Sequence, residues 1–304
     1  MGLLFWRSEF MKDIRKSRIK MIFALNVPAV TVILVLLLLP LAIGFGYTFF
    51  KISFMKHSFK FIGLANYIEA FSDSEVISSI IRTLLYSIIS ISMALVSAIG
   101  MALMLNKDFV GNKICRALIM IPWALPPIVN GIAWNWFFNP RYGFFTNVLL
   151  KLGIIDKPIN FLTGNISAFI IVCIATVYWL LPFSIIYLLA LLKTIPKSVY
   201  EAAEIDGASK WQRFTKITLP LLLPGSGVLI IWLAIRTLKS YDIIYALTEG
   251  GPGRATTVLN YLAYSVSFKT MDFGMGATIS FILSIMIFLF SILYYRFSFR
   301  EYSY

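Results

Sequence analysis

The sequence predicts an all-α polytopic membrane protein, with six transmembrane helices and both termini cytoplasmic. Three observations carry that expectation: an apolar composition, six long uncharged runs, and an uneven distribution of Lys and Arg. Of 304 residues, 59% are hydrophobic and only 13% are charged, and the mean hydropathy is +0.83. An ordinary soluble domain carries about 25% charged residues, so a water-soluble fold of this length could not hide the apolar excess. The formal charge of +13 would suit nucleic acid in a soluble protein. Membrane proteins also gather Lys and Arg on their cytoplasmic side, so the distribution must decide.

A helix needs about 20 apolar residues to cross the hydrocarbon core. Six stretches meet that length or nearly so: 27–50, 77–105, 117–138, 167–192, 217–238 and 273–295. Arg82 interrupts the second near its start, and Arg236 lies within the fifth. In lipid each backbone must satisfy its own hydrogen bonds, so all six read as helices. The first is longer than a signal-peptide core and has no small-residue cleavage site, so it is expected to be retained. Residues 1–20 form an amphipathic tail, with Arg7, Lys12, Arg15, Lys16, Arg18 and Lys20 beside Phe5, Trp6 and Phe10. Such a segment suits an anionic leaflet.

Sixteen of the 27 basic residues fall in the two tails and in the loops after spans two and four. The loops 51–76, 139–166 and 239–272 hold nine, and acidic residues divide equally between the two sides. The richer side is expected to be cytoplasmic. The positive charge is then mainly topology, and no nucleic-acid partner is expected. Domain organisation follows as a tail over 1–20, one membrane domain over 21–295, and a cytoplasmic C-tail over 296–304.

The loop over 193–219 does not read as a slack connector. Ser198-x-x-Glu201 has the form of a capping box and predicts a short helix from there. Gly207 should end it in the left-handed conformation. A second short helix, about 209–217, would carry Trp211, Phe214 and Ile217 at helical spacing, with Pro220 and Pro224 opening span five. Spacing alone leaves two readings open, an amphipathic hairpin resting on the interface or a docking element for a cytoplasmic partner.

The residues themselves add a resemblance. Tyr200-Glu-Ala-Ala-Glu-Ile-Asp-Gly-Ala-Ser-Lys-Trp-Gln-Arg-Phe, followed by Ile217-Thr-Leu-Pro220, resembles the EAA loop of binding-protein-dependent ABC importer permeases. Phe61-Ile-Gly-Leu-Ala-Asn-Tyr67, Pro122-Trp123 with Pro126, and Leu247-Thr-Glu-Gly-Gly-Pro252 with Tyr261 and Phe268 resemble the carbohydrate-uptake members, of the maltose-type first permease kind. The resemblance covers about residues 28–295 and implies a type I ABC importer permease in a prokaryotic inner membrane. It implies four kinds of partner: a second related permease, two ATPase subunits, an extracytoplasmic sugar-binding protein and the lipid bilayer. It further implies that Tyr200, Glu201, Ala202, Ala203, Asp206, Gly207 and Ala208 contact the ATPase and pass its closure to the spans.

Alignment on Pro182 and on Gly250-Gly251-Pro252 carries the maltose-type pocket onto Thr176, Trp179, Leu180, Phe183, Leu233, Arg236, Thr237 and Ser240. Thr176 and Thr237 stand where that family has amides, and Leu180 stands where it has a glycine, so location carries over and specificity does not. Aromatic faces and hydroxyls are what a sugar needs, although the same aromatics could pack between helices or form the interfacial belt. An arginine within a span is costly unless paired or hydrated. Arg236 therefore either faces the path, or snorkels toward the outer surface or pairs with Asp242, while Arg82 is expected at the outer interface.

Absent motifs exclude other classes. There is no G-x-x-x-x-G-K-[ST] phosphate loop, so ATP and Mg belong to partner subunits and this chain binds no cofactor. No nucleophile–base constellation or H-E-x-x-H occurs, so no catalytic or metal site is expected. Two cysteines, Cys115 and Cys173, imply no disulfide framework, and His57 is a lone loop histidine. The alternative of a different class is a stand-alone secondary transporter or channel, which the lack of an acidic residue inside any span weakens.

Overall fold

The computed structural model describes residues 21, 25–53 and 58–298. The amphipathic N-tail, His57 and Arg300 lie outside them. Helix α1 spans Leu25–Tyr47 and is exposed along the window that would cross the bilayer, as apolar side chains facing lipid should be. It is followed by an antiparallel hairpin, β1 (Phe50–Ser53) with β2 (Ser58–Phe61), in the register Phe50↔Phe61. Asn66 explains the Phe61–Tyr67 motif: its amide donates to Thr48 O at 2.9 Å and Phe50 O at 3.0 Å. It sits in the first turn of α2 (Ala65–Ser72) and ties the hairpin to the bundle.

Helix α3 (Ser74–Leu105) is capped by Asp73, which accepts from Glu75 N at 2.7 Å. One of its faces is buried and made of small residues, Ser79, Thr83, Ser87, Ser90, Ala94, Ala98 and Ala102. Small side chains let backbones approach, which is how helices associate where lipid removes the hydrophobic drive. Along that face α3 packs against α7 (Asn165–Thr194), the most buried span. The main core gathers here, around Tyr86, Leu180, Ile185 and Leu188.

The third apolar run differs from the single straight helix the sequence predicts. It forms α4 (Asn112–Ala124) and α5 (Pro127–Phe137), bent by 98° at the break. Pro126 and Pro127 stand at the break, and the residue before a proline is pushed out of helical geometry, as the extended Leu125 is (ψ 141). Among the described residues five helices are long and apolar enough to cross a bilayer, and six crossings result if the bent pair forms one. Helix α6 (Phe144–Lys151) follows within an aromatic cluster that includes Trp134, Phe137, Phe138 and Phe161.

Helix α8 (Lys197–Ile205) leads to α9 (Lys210–Leu238), which is continuous through a π turn at Phe214–Thr218. The predicted separate helix over 209–217 is thus the first part of span five. Pro220 sits in the first turn after the bulge, where its missing N–H costs little. Short α10 (Asp242–Thr248) crosses α5 at Gly131, where an added Cβ would lie 2.7 Å from Ala246 Cβ. The Leu247–Pro252 motif then folds a tight loop: Gly250 has φ +81, and a side chain there would strike Tyr261 and Thr257. Helix α11 (Leu259–Tyr264) continues through a π turn, and α12 (Phe273–Ser298) closes a second core with Leu238, Leu259 and Ile279.

Candidate functional site: an embedded cavity and a braced lever

A cavity of about 460 Å³ opens where the break before α5, the middle of α7, the end of α9 and the start of α10 converge. Thr176, Trp179, Leu180, Arg236 and Ser240 line it, five of the eight residues carried over from the pocket resemblance. Phe183 lies one layer away, stacked on the lining residue Trp232 at 4.1 Å between ring centroids. Leu233 and Thr237 are not on the cavity lining, and both are buried. The Thr237 hydroxyl donates to Leu233 O at 3.0 Å, within its own helix. Their side chains leave the helix on its inner face, away from Trp232 and Arg236.

Arg236 does not pair with Asp242. Among the described residues the ion pairs are Arg82–Glu75, Arg254–Glu75, Arg213–Glu204 and Lys269–Glu249. The guanidinium instead lies over Trp179 at 5.6 Å and over Trp232 at 5.4 Å. Cation–π attraction of this kind supplies about 0.5–1 kcal/mol per contact at exposed sites and more when dry. Arg236 itself is on the cavity lining. Trp179 has a second task, because its indole N–H donates to Leu125 O at 3.1 Å, a carbonyl freed by the helix break. One side chain thus holds the bent span and orients the arginine.

Behind the cavity wall, the hydroxyl of Tyr86 joins Thr176 at 2.6 Å and Ser240 at 2.9 Å. This node links α3, α7 and the end of α9, and Tyr86 is completely buried. The sequence reading missed it, together with Lys239, Tyr241 and Asp242 on the lining. A phenol inside an otherwise apolar run was the available signal for Tyr86. The others lie past the predicted end of span five, and only the chain reversal into α10 returns them. Arg82 is likewise more than an interfacial residue: it donates to Glu75 at 2.9 Å and to Thr257 O at 3.2 Å, pinning the loop after Pro252 to α3.

At the far end of α9 lies the lever. The predicted capping box on Ser198 does not form: α8 starts one residue earlier, after Pro196, with no side-chain cap. A capping box forms instead at Ser209, whose hydroxyl accepts from Gln212 N while the Gln212 side chain accepts from Ser209 N. Gly207 ends α8 as expected, at φ +76. Ala208 N donates to Ala203 O at 2.9 Å and Gly207 N to Glu204 O at 3.0 Å, the paired bonds of a Schellman stop. Two contacts brace α8 on α9: the hydroxyls of Tyr200 and Thr218 at 3.0 Å, and Arg213 with Glu204 at 2.8 Å. Glu201, Ala202, Ile205, Asp206 and Gly207 are left exposed, while Ala203 and Ala208 are half-buried.

A polar cavity embedded among apolar helices, joined by one helix to a rigid exposed lever, is the build of a membrane transport permease. The comparisons agree. Residues 91–301 match the family model described as binding-protein-dependent transport system inner membrane component, and the chain belongs to that family of multi-pass inner-membrane proteins. It is 39% identical over 278 residues to the trehalose/maltose transport system permease protein MalF of Thermococcus litoralis, covering 91% of this chain and 93% of the relative. It is 35% identical to the sulfoquinovosyl glycerol transport system permease protein SmoG of Agrobacterium fabrum, covering 83% and 82%. A bacterial ABC transporter for import of the acidic polysaccharide alginate has the same fold, with TM-score 0.81 and 22% identity over 97% of this chain and 100% of that one.

Proposed function

We propose that this chain is one permease of an ATP-driven, binding-protein-dependent importer for a sugar, either a di- or oligosaccharide or a sugar derivative. The observation that carries the reading is the continuity of α9. One helix begins at the lever, with Arg213 and Thr218 bound to α8, and ends at the cavity, with Trp232 and Arg236 on its wall. A rigid rod of this kind transmits a push at one end as a displacement at the other. The lining suits a sugar, since indole faces accept C–H surfaces while Lys239, Asp242 and Arg236 offer hydrogen-bonding groups to hydroxyls. The relatives named for trehalose/maltose and for sulfoquinovosyl glycerol support the same class.

In this reading Tyr200 to Ala208 seat the chain on an ATPase subunit at the cytoplasmic side, where both termini also lie. ATP and Mg are held by two such subunits, and this chain performs no catalysis and binds no cofactor. A second, related permease completes the path, and a loaded sugar-binding protein docks at the opposite face. ATP-driven closure moves α8, α9 follows, and the cavity changes the side to which it opens. Purification of the tagged chain from its own membrane tests the proposal. The expected result is co-purification of an ATPase and a second permease, with uptake abolished by ATP depletion. Isolation alone, with uptake that survives depletion, would make it a stand-alone secondary transporter or channel.

A further inference from the structure

A second cavity, of about 560 Å³, lies where α3 and α7 end and α4 begins, away from the sugar cavity. Lys113, Arg116 and Lys193 line it against a single carboxylate, Asp108. Among the described residues neither lysine nor Asp108 enters an ion pair. The floor is built rather than incidental. Asn112 donates to Leu105 O at 2.9 Å and to Lys107 O at 2.6 Å, and Arg116 donates to Leu105 O at 2.8 Å, leaving its buried Nε without a partner. These bonds hold the turn through Gly111 beneath the cations.

The rim has the opposite character. Ile114, Leu118 and Ile121 are exposed at 65%, 58% and 55%, spaced to share one face of α4, and Phe109 and Val110 add exposed apolar surface. Net positive charge in a pocket at the end of two membrane spans, edged by an unpartnered apolar helix face, calls for an amphiphile with an anionic head. We propose that this cavity binds the phosphate headgroup of an anionic phospholipid, with its acyl chains along Ile114, Leu118 and Ile121. A soluble anion would use the cations and leave that stripe uncovered. Basic pockets at helix ends are a recognised means of holding such headgroups. The proposal rests on membrane insertion alone and holds whatever the transported solute.

The test is native mass spectrometry of the whole purified complex, released from bilayers of mixed phosphatidylglycerol and phosphatidylcholine. Wild type is expected to retain phosphatidylglycerol preferentially. The double variant Lys113→Gln/Lys193→Gln should lose that preference by about thirtyfold, at roughly one near-surface charge interaction per lysine. Lys113→Arg/Lys193→Arg should keep it, which separates charge loss from misfolding. Arg116 is left intact because it caps α3. Equal retention of phosphatidylglycerol by the glutamine variant, or no lipid preference in wild type, overturns the proposal. So does displacement of the lipid by millimolar inorganic phosphate, which would assign the site to a soluble anion. Loss of the ATPase subunit from the glutamine variant overturns it as well, by making the patch a protein contact.

Discussion

Arg236 lies over two indoles, Trp179 and Trp232, on the wall of the cavity, and that geometry sets what its loss should do. Arg236→Ala removes the hydrogen-bonding edge and frees Trp179 and Trp232 to reorient. Uptake should show a higher KM with assembly intact; an unchanged KM for the transported sugar would leave the arginine a packing residue only. Tyr86→Phe probes the wall behind it. Two hydroxyl contacts are lost from a fully buried node, and interhelical hydrogen bonds in membranes average about 0.6 kcal/mol, reaching about 1.7. Thermal unfolding in detergent should therefore report about 1 kcal/mol of destabilisation. No shift in Tm would mean that Thr176 and Ser240 re-pair without the phenol.

At the scale of elements, the lever depends on how α8 stops and how it is braced. At Gly207 an added Cβ meets no neighbour, so only the positive φ penalises a substitution. Gly207→Ala should cost about 1 kcal/mol locally and loosen the turn between α8 and α9. The expected signature is ATP hydrolysis that continues while uptake falls, read in the same reconstituted vesicles. The Glu204–Arg213 pair is exposed on the glutamate side, so it adds at most about 1 kcal/mol to stability. Its use is alignment. Charge reversal at either residue should impair uptake, and the swap Glu204→Arg with Arg213→Glu should restore part of it. Failure of the swap to restore any would remove the pair from the coupling argument.

For the whole molecule, the crossing of α5 and α10 decides whether the cavity exists. Gly131 sits against Ala246 and Ile243, and Asn130 and Asn135 donate to Ala175 O and Leu247 O on the adjoining helices, each at 2.9 Å. Gly131→Val would force two backbones apart across a packed interface. The expected outcome is a sharp drop in folded, detergent-soluble protein, and normal yield with normal uptake would show that the crossing can slide. The start of α3 and the loop after Pro252 share one more joint, where Glu75 holds Arg82 and Arg254 together.

The six apolar runs were legible because lipid imposes a length and a composition on any spanning helix, whatever its neighbours. The end of the helix before Ala208 was legible because its stop requires glycine at Gly207, and Thr176, Trp179, Leu180, Arg236 and Ser240, singled out from the sequence, fall on one cavity. Tertiary structure decided the rest. The local sequence Ser198-x-x-Glu201 offered a capping box, but Pro196 began the helix first, and Ser209 took the cap at the start of α9. Prolines at 126 and 127 warned of a break, yet the 98° bend exists because Trp179 takes up the freed carbonyl and α10 fills the space beside α5. Leu233 and Thr237 face inward, and Lys239 and Asp242 join the cavity, because helix phase and the chain reversal at Tyr241 are set by packing between distant segments. Hydropathy and backbone chemistry act over a few residues and can be read along a chain; the partner of each face is a contact between segments and exists only in the folded molecule.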